Sequence, residues 1–205
     1  VSQYGISQWV YELFDKKPGV FLEIGGSMPD NQSNTKFLED NGWTGLCVEP
    51  LTIYNEDYKR VRPKTILENY ALVDKNYTEK TITAGIDYHC SGVTPDHTNG
   101  KLSNIREVSQ WPVCQLQVLL KKHNLRHIDF FSLDTEGYEH HVLDGTDFNF
   151  TIFNLILIET HGDYAYVNKT NDFSYLENYG YNYQGLFSSG YHKIYTHKTF
   201  NYEKN

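Results

Sequence analysis

Five short apolar runs, each closed by a turn, constrain this chain more than any other feature. They are "VFLEI" (Val20–Ile24), "GLCVEP" (45–50), a run within 65–73, "HIDFFSLD" (127–134) and "TIFNLILIE" (151–159). Runs this short that are apolar on both faces read as strands of a parallel sheet covered by helices on each side. Amphipathic stretches fall between them. "SQWVYELFD" sets Trp9, Val10 and Leu13 on one face and is ended by Pro18-Gly19. Ser33-Asn34-Thr35 offers a cap for a helix that runs through Asn41 and is closed by Gly42. Further helices are expected over 54–61, from Pro112 with the stripe Leu116, Leu119 and Leu120, and over 173–179 before Gly180. "KTITAGIDYHC" alternates like an extended segment, 91–106 reads as loop, and "YNYQGLF" and "YHKIYTH" pair as a hairpin. The expected fold is α/β: a doubly wound, Rossmann-like, mostly parallel sheet with a C-terminal antiparallel hairpin.

With 205 residues, 39% hydrophobic and 15% aromatic, the chain fits a single domain over 1–205 with a core of its own. A formal charge of -8 argues against nucleic acid as a partner, since no net positive field draws phosphates in. The two most basic stretches, "LKKHNLRH" and "NEDYKRVRPK", read as solvated helix faces. Cys47, Cys90 and Cys114 have no metal-ligand spacing and call for no oxidising compartment, and Cys47 reads as a small buried hydrophobe. Four N-x-S/T triplets, at Asn31, Asn76, Asn149 and Asn168, are what chance gives an asparagine-rich chain. No apolar run has the length of a membrane span and no signal peptide is visible, so a cytoplasmic protein is expected. A start at Val1, with Met28 the single methionine, suits a domain cut from a longer polypeptide. Composition sets no oligomeric state.

The chemistry lies at the strand ends. In an open α/β sheet, ligands bind beyond the carboxyl ends of the strands. Here the first strand carries Glu23, the second ends at Glu49, the fourth at Asp134 and the fifth at Glu159. One such acid can cap a helix, but four along one rim repel each other unless a cation, a hydroxyl array or a metal sits among them. A dinucleotide fits poorly. The fingerprint needs three glycines, whereas Gly25-Gly26 are followed by none until Gly42, and Glu23 stands where a pyrophosphate would lie. No lysine follows the glycines, which removes the P-loop. S-adenosylmethionine fits better. It is cationic and free of phosphate, and Glu49 lies one βαβ step beyond Gly25, where a ribose-binding acid is expected.

With those residues in view, the chain resembles the FkbM-type family of S-adenosylmethionine-dependent methyltransferases. The resemblance spans most of the sequence, through "FLEIGG…SNT…FLEDNGWTGLCVEP", "IDFFSLDTEGYEHHVLDGTDF", "LILIETH" and the ending "YGYNYQGLF…HKIY". It implies cofactor roles for Glu23, Gly25, Gly26, Ser27, Asn34 and Glu49, an adenine border at Ala71 and Leu72, and an acidic motif at Asp134 and Glu136 with Glu159 beyond it. It also implies O-methylation of sugars, macrolides or other small metabolites. One departure is Met28-Pro29, where many relatives have Asp-Gly; Asp30 is the residue placed to substitute.

Methyl transfer needs alignment and a deprotonated acceptor. His161 is a candidate general base oriented by Asp134 or Glu159; alternatively Asp134, Glu159 and His161 hold Mg²⁺ or Mn²⁺ and acidify a bound hydroxyl. His140 and His141 read as surface residues, and His89 has no partner for a metal. Tyrosines in "GDYAYVN" and "YGYNYQG" suit a sugar face, so a glycan or small-molecule hydroxyl is the expected acceptor. The rival classes are a non-catalytic glycan- or partner-binding module, marked by Met28-Pro29, and a nicotinamide oxidoreductase.

Overall fold

A computed structural model describes residues 2–86, 92–93, 107–160 and 172–202. In chain order the main elements are α1 (Ile6–Leu13), β1 (Val20–Ile24), α2 (Lys36–Asp40), β2 (Thr44–Val48), α3 (Asn55–Val61), β3 (Thr65–Glu68), β4 (Ala71–Leu72) and β5 (Thr81–Ile86). They continue with β6 (Gly92–Val93), β7 (Glu107–Cys114), α4 (Leu116–Lys122), β8 (His127–Leu133), α5 (Glu139–Asp144), β9 (Ile152–Glu159), β10 (Tyr181–Leu186) and β11 (His192–His197).

Seven strands form the main sheet in the order β10-β11-β9-β8-β1-β2-β3. The five from β9 to β3 pair in parallel, and β11 and β10 add on antiparallel at one edge. The expected parallel sheet and closing hairpin are both present. The strands bury both faces because apolar residues follow one another without polar alternation. Leu22, Phe131 and Ile156 face α4 and α5 through Leu116, Leu120 and Val142. Their neighbours Phe21, Phe130 and Leu155 face α1 and α2 through Ile6, Val10 and Leu38, with Trp43 of the turn before β2 in the same cluster. A one-residue step along each strand changes the layer it serves.

A second, four-stranded sheet, β4-β7-β5-β6, lies beside the main one. Two expectations are corrected here. The run expected as one strand over 65–73 divides: β3 stays in the main sheet, while β4 pairs with β7. Pro112 opens no helix; it lies within β7, opposite Thr81 of β5. The nitrogen of Val113 donates to Lys80 on the β5 side, so the nitrogen of Pro112 faces the other way, one residue before pairing with β4 begins. No donor is needed there, so the sheet accepts a proline. The helix starts after it, at Leu116, with the expected buried stripe. The predicted 91–106 loop lies almost wholly outside the described residues, save for the short β6.

Candidate active site

At the end of β1, Gly25 has a φ of 79°. A β-carbon on it would overlap the carbonyl oxygen of Asp134, and one on Gly26 would run into Cys47 Sγ and the Tyr58 hydroxyl. The two glycines are therefore demanded first by the protein itself, which brings the exits of β1, β2 and β8 into van der Waals contact. Cys47 is fully buried, as expected, with its thiol 3.2 Å from Tyr58 Oη.

That convergence leaves a cavity at the carboxyl ends of the strands, about 1180 Å³ including its open mouth. Glu23, Gly25, Gly26, Ser27, Asn34, Glu49, Ala71, Leu72 and Asp134 all line it, and so does Glu136. Glu159 adjoins it through a hydrogen bond with Asp134. His161, and with it the tyrosines of "GDYAYVN", lies outside the described residues. Asp30 is exposed and not part of the lining, whereas Met28, Asn31 and Gln32 from the same loop are.

Glu23 is the most tightly bound of the acids. Its carboxylate accepts from Ser33 Oγ at 3.0 Å, from the Asn34 backbone N–H at 2.7 Å, from Thr35 Oγ1 at 2.6 Å and from Arg62 at 3.3 Å. Arg62 is 1% exposed. It also bridges to Glu39 at 2.7 Å, donates to Thr35 Oγ1 at 2.7 Å and reaches the Pro29 carbonyl at 3.5 Å. Sequence reading placed this arginine on a solvated helix face. Instead it sits just past the end of α3 and neutralises acids 39 and 23 residues away in the chain. Ser33 Oγ in turn accepts from the N–H groups of Thr35 and Lys36, tying the loop to the start of α2.

Glu49 spans the other side of the turn. One oxygen accepts from the Ser27 N–H and the other from the Leu51 N–H, both at 2.8 Å. Burial pushes its carboxyl up to about 7, partly opposed by those two hydrogen bonds. Each oxygen keeps a lone pair for a further donor. Beyond it the cavity wall turns aromatic. Trp111 of β7, Tyr138 and Leu51 pack with Ala71 into one buried cluster. Trp111 and Tyr138 are lining residues that sequence reading missed. Trp111 gave no signal because the smaller sheet that carries it was not foreseen.

At the opposite end, the carboxylates of Asp134, Glu136 and Glu159 bring ligand oxygens within 4.8 Å of one another. Burial raises Asp134 above the ordinary carboxylate range. Burial and the neighbouring Asp134 charge push Glu159 up to about 11, so the two hold a proton between them. Glu139 shapes the loop below, accepting from the N–H groups of Thr135 and Gly137 and from the Thr135 hydroxyl. Among the described residues this trio is the one group that suits a metal ion, and no histidine belongs to it. His141 instead bonds Asp74 at 3.0 Å and stacks on Tyr138, while His140 stacks on Phe173.

A glycine turn beneath a row of strand-end carboxylates, on a doubly wound sheet, places a ligand cavity at the carboxyl ends of the strands. The sequence then sets the family: residues 20–183 match the methyltransferase FkbM domain, and the chain belongs to that family of S-adenosylmethionine-dependent methyltransferases. A solved TehB-like SAM-dependent methyltransferase from Corynebacterium glutamicum is similar in structure, with 10% identity over 95% of this chain and 88% of that one, at a TM-score of 0.44. A likeness that slight assigns nothing. No curated protein matches the chain significantly.

Proposed function

We propose that the chain transfers a methyl group from S-adenosylmethionine to a hydroxyl of a sugar, glycan or related small metabolite. The observation that carries this reading is the division of the cavity. Its far end offers an apolar, aromatic wall beside a hydrogen-bond-accepting carboxylate, and its near end gathers carboxylates with no ion pair to Asp134 among the described residues. The donor set fits the cofactor. Glu49 has acceptor capacity for two ribose hydroxyls, the Trp111 and Tyr138 wall with Ala71 and Leu72 suits adenine, and acids near Asp134 suit a cation. Asn34, 4% exposed and lining the cavity, has an Oδ1 with no donor among the described residues, as expected where an ammonium group belongs.

Bound there, the cofactor supplies an electrophilic methyl carbon, and the protein's task is alignment and proton removal. Asp134 and Glu159 share one proton, and Asp134 is the member of the pair that lines the cavity. Asp134 is thus the group to take the acceptor's hydroxyl proton, with Glu136 alongside. Glu23 acts from behind, fixing the Ser27–Asn34 loop through Arg62. Oxygen-only ligands suit Mg²⁺ or Mn²⁺, which Asp134, Glu136 and Glu159 would hold and which would acidify a coordinated hydroxyl.

A radiolabelled methyl-donor assay over glycans and nucleotide sugars tests the reading. Label entering a hydroxyl of one class supports it. No transfer, with no donor binding at millimolar concentration, would favour the non-catalytic module. Loss of turnover on chelation with donor affinity intact would assign the metal route, and unchanged turnover the carboxylate route.

A further inference from the structure

The region matched by the family begins at residue 20, yet one wall of the cavity comes from residue 3. Ser2 forms a parallel bridge with Gln32 of the donor loop, and its hydroxyl accepts from the Ser7 N–H at 3.0 Å, fastening the segment to the start of α1. Between these ties the chain reverses through two successive left-handed residues, Tyr4 at φ 48° and Gly5 at φ 76°. A tyrosine is costly in that conformation. It is held there by its ring, stacked on Tyr191 and edge-on to His192 at 6.1 Å. The reversal sends Tyr4 outward and Gln3 inward.

Inside, the Gln3 amide is oriented by its partners. Its Oε1 accepts from Asn34 Nδ2 at 3.3 Å, which leaves its nitrogen to donate to Asp134. Asn34 also donates to Ser132 Oγ at 3.2 Å, on β8 two residues before Asp134. One side chain from outside the family region therefore joins the donor loop to the acid at the end of β8.

We propose that Gln3 is a positioning residue of the methyl-transfer site, supplied by an N-terminal strap that sets Asn34 and Asp134 in register around the donor. This rests on the donor-site reading above. It predicts an unusual order of variants. Gln3→Glu keeps the shape of the side chain but turns a donor toward Asp134 into a like charge. It is therefore more damaging than Gln3→Ala, which leaves only a gap.

The test is calorimetric titration of the wild type, Gln3→Ala and Gln3→Glu with S-adenosylhomocysteine, alongside their melting temperatures. The expected result is affinity about tenfold lower for Gln3→Ala and lower still for Gln3→Glu, with melting temperatures close to the wild type. A side chain that merely fills space gives the reverse order, since the isosteric glutamate is then the milder change; that order overturns the proposal. So does affinity within twofold of wild type in both variants, or a loss that only follows a fall in melting temperature. Failure of the wild type to bind removes the donor-site reading, and this inference with it. Normal wild-type binding with unaffected variants removes the inference alone.

Discussion

At the end of β1, the carboxylate of Glu23 accepts from two hydroxyls, one backbone N–H and a buried arginine. At the ends of β8 and β9, Asp134 and Glu159 face each other across a shared proton, both raised by burial. In sequence these are the same object, an acid at the mouth of an apolar strand. In the fold one has been neutralised from behind and supports a loop, while the other faces the cavity. Position along the rim does not set an acid's task; the cation behind it does.

The strongest way to break this comparison is at Arg62. Arg62→Met leaves Glu23 and Glu39 buried without their counter-charge, and unfolding free energy from denaturant titration is expected to fall by about 3–5 kcal/mol. Adding Glu23→Gln should recover part of that loss. A fall below about 1 kcal/mol would mean that Glu23 does not depend on the arginine.

Glu49 stands between the two extremes, bonded to the protein yet retaining lone pairs for a ligand. Glu49→Ala should weaken donor binding by about 1.5–3 kcal/mol, measured by calorimetry. An unchanged affinity would place the ribose elsewhere. With its carboxyl raised to about 7, Glu49 must lose a proton before accepting from two hydroxyls. Donor affinity should therefore rise about tenfold between pH 6 and pH 8, with proton uptake by buffer detectable as a buffer-dependent heat. A flat profile across that range would contradict the role.

A further effect concerns the proton-sharing pair. Glu159 is raised from its ordinary value to about 11, so its contribution to stability is full below the unfolded carboxylate range and is lost as pH climbs toward the folded value. Melting temperature should decline from pH 6 to pH 9, and Glu159→Gln, which mimics the protonated acid, should flatten that decline. Parallel curves for variant and wild type would show that no proton is held there.

Much of this was legible in the chain. The five strands announce themselves because burial on both faces forbids polar alternation, and Glu49, Asp134 and Glu159 mark their exits. What stayed hidden depends on contacts across long separations. "NEDYKRVRPK" gives no local sign that Arg62, unlike the exposed Lys59 and Arg60, turns inward, because its partners come from β1 and α2. Trp111 was unreadable as a lining residue because Pro112 beside it mimics a helix start. Gln3 lies before the first strand, in a segment with no periodicity to place it. The family resemblance gives Gly25 and Gly26 cofactor roles, while the fold shows that they first make room for Asp134, Cys47 and Tyr58.

The central claim is that ionised carboxylate at the near end of the cavity receives a positively charged methyl carrier. It is tested most directly by titrating wild type and Asp134→Asn with S-adenosylmethionine and with S-adenosylhomocysteine, the product that lacks the sulfonium charge. The account predicts that wild type binds both and favours the sulfonium, and that Asp134→Asn loses this preference while still binding the product. No binding of either ligand, or an undiminished preference in Asp134→Asn, would contradict it.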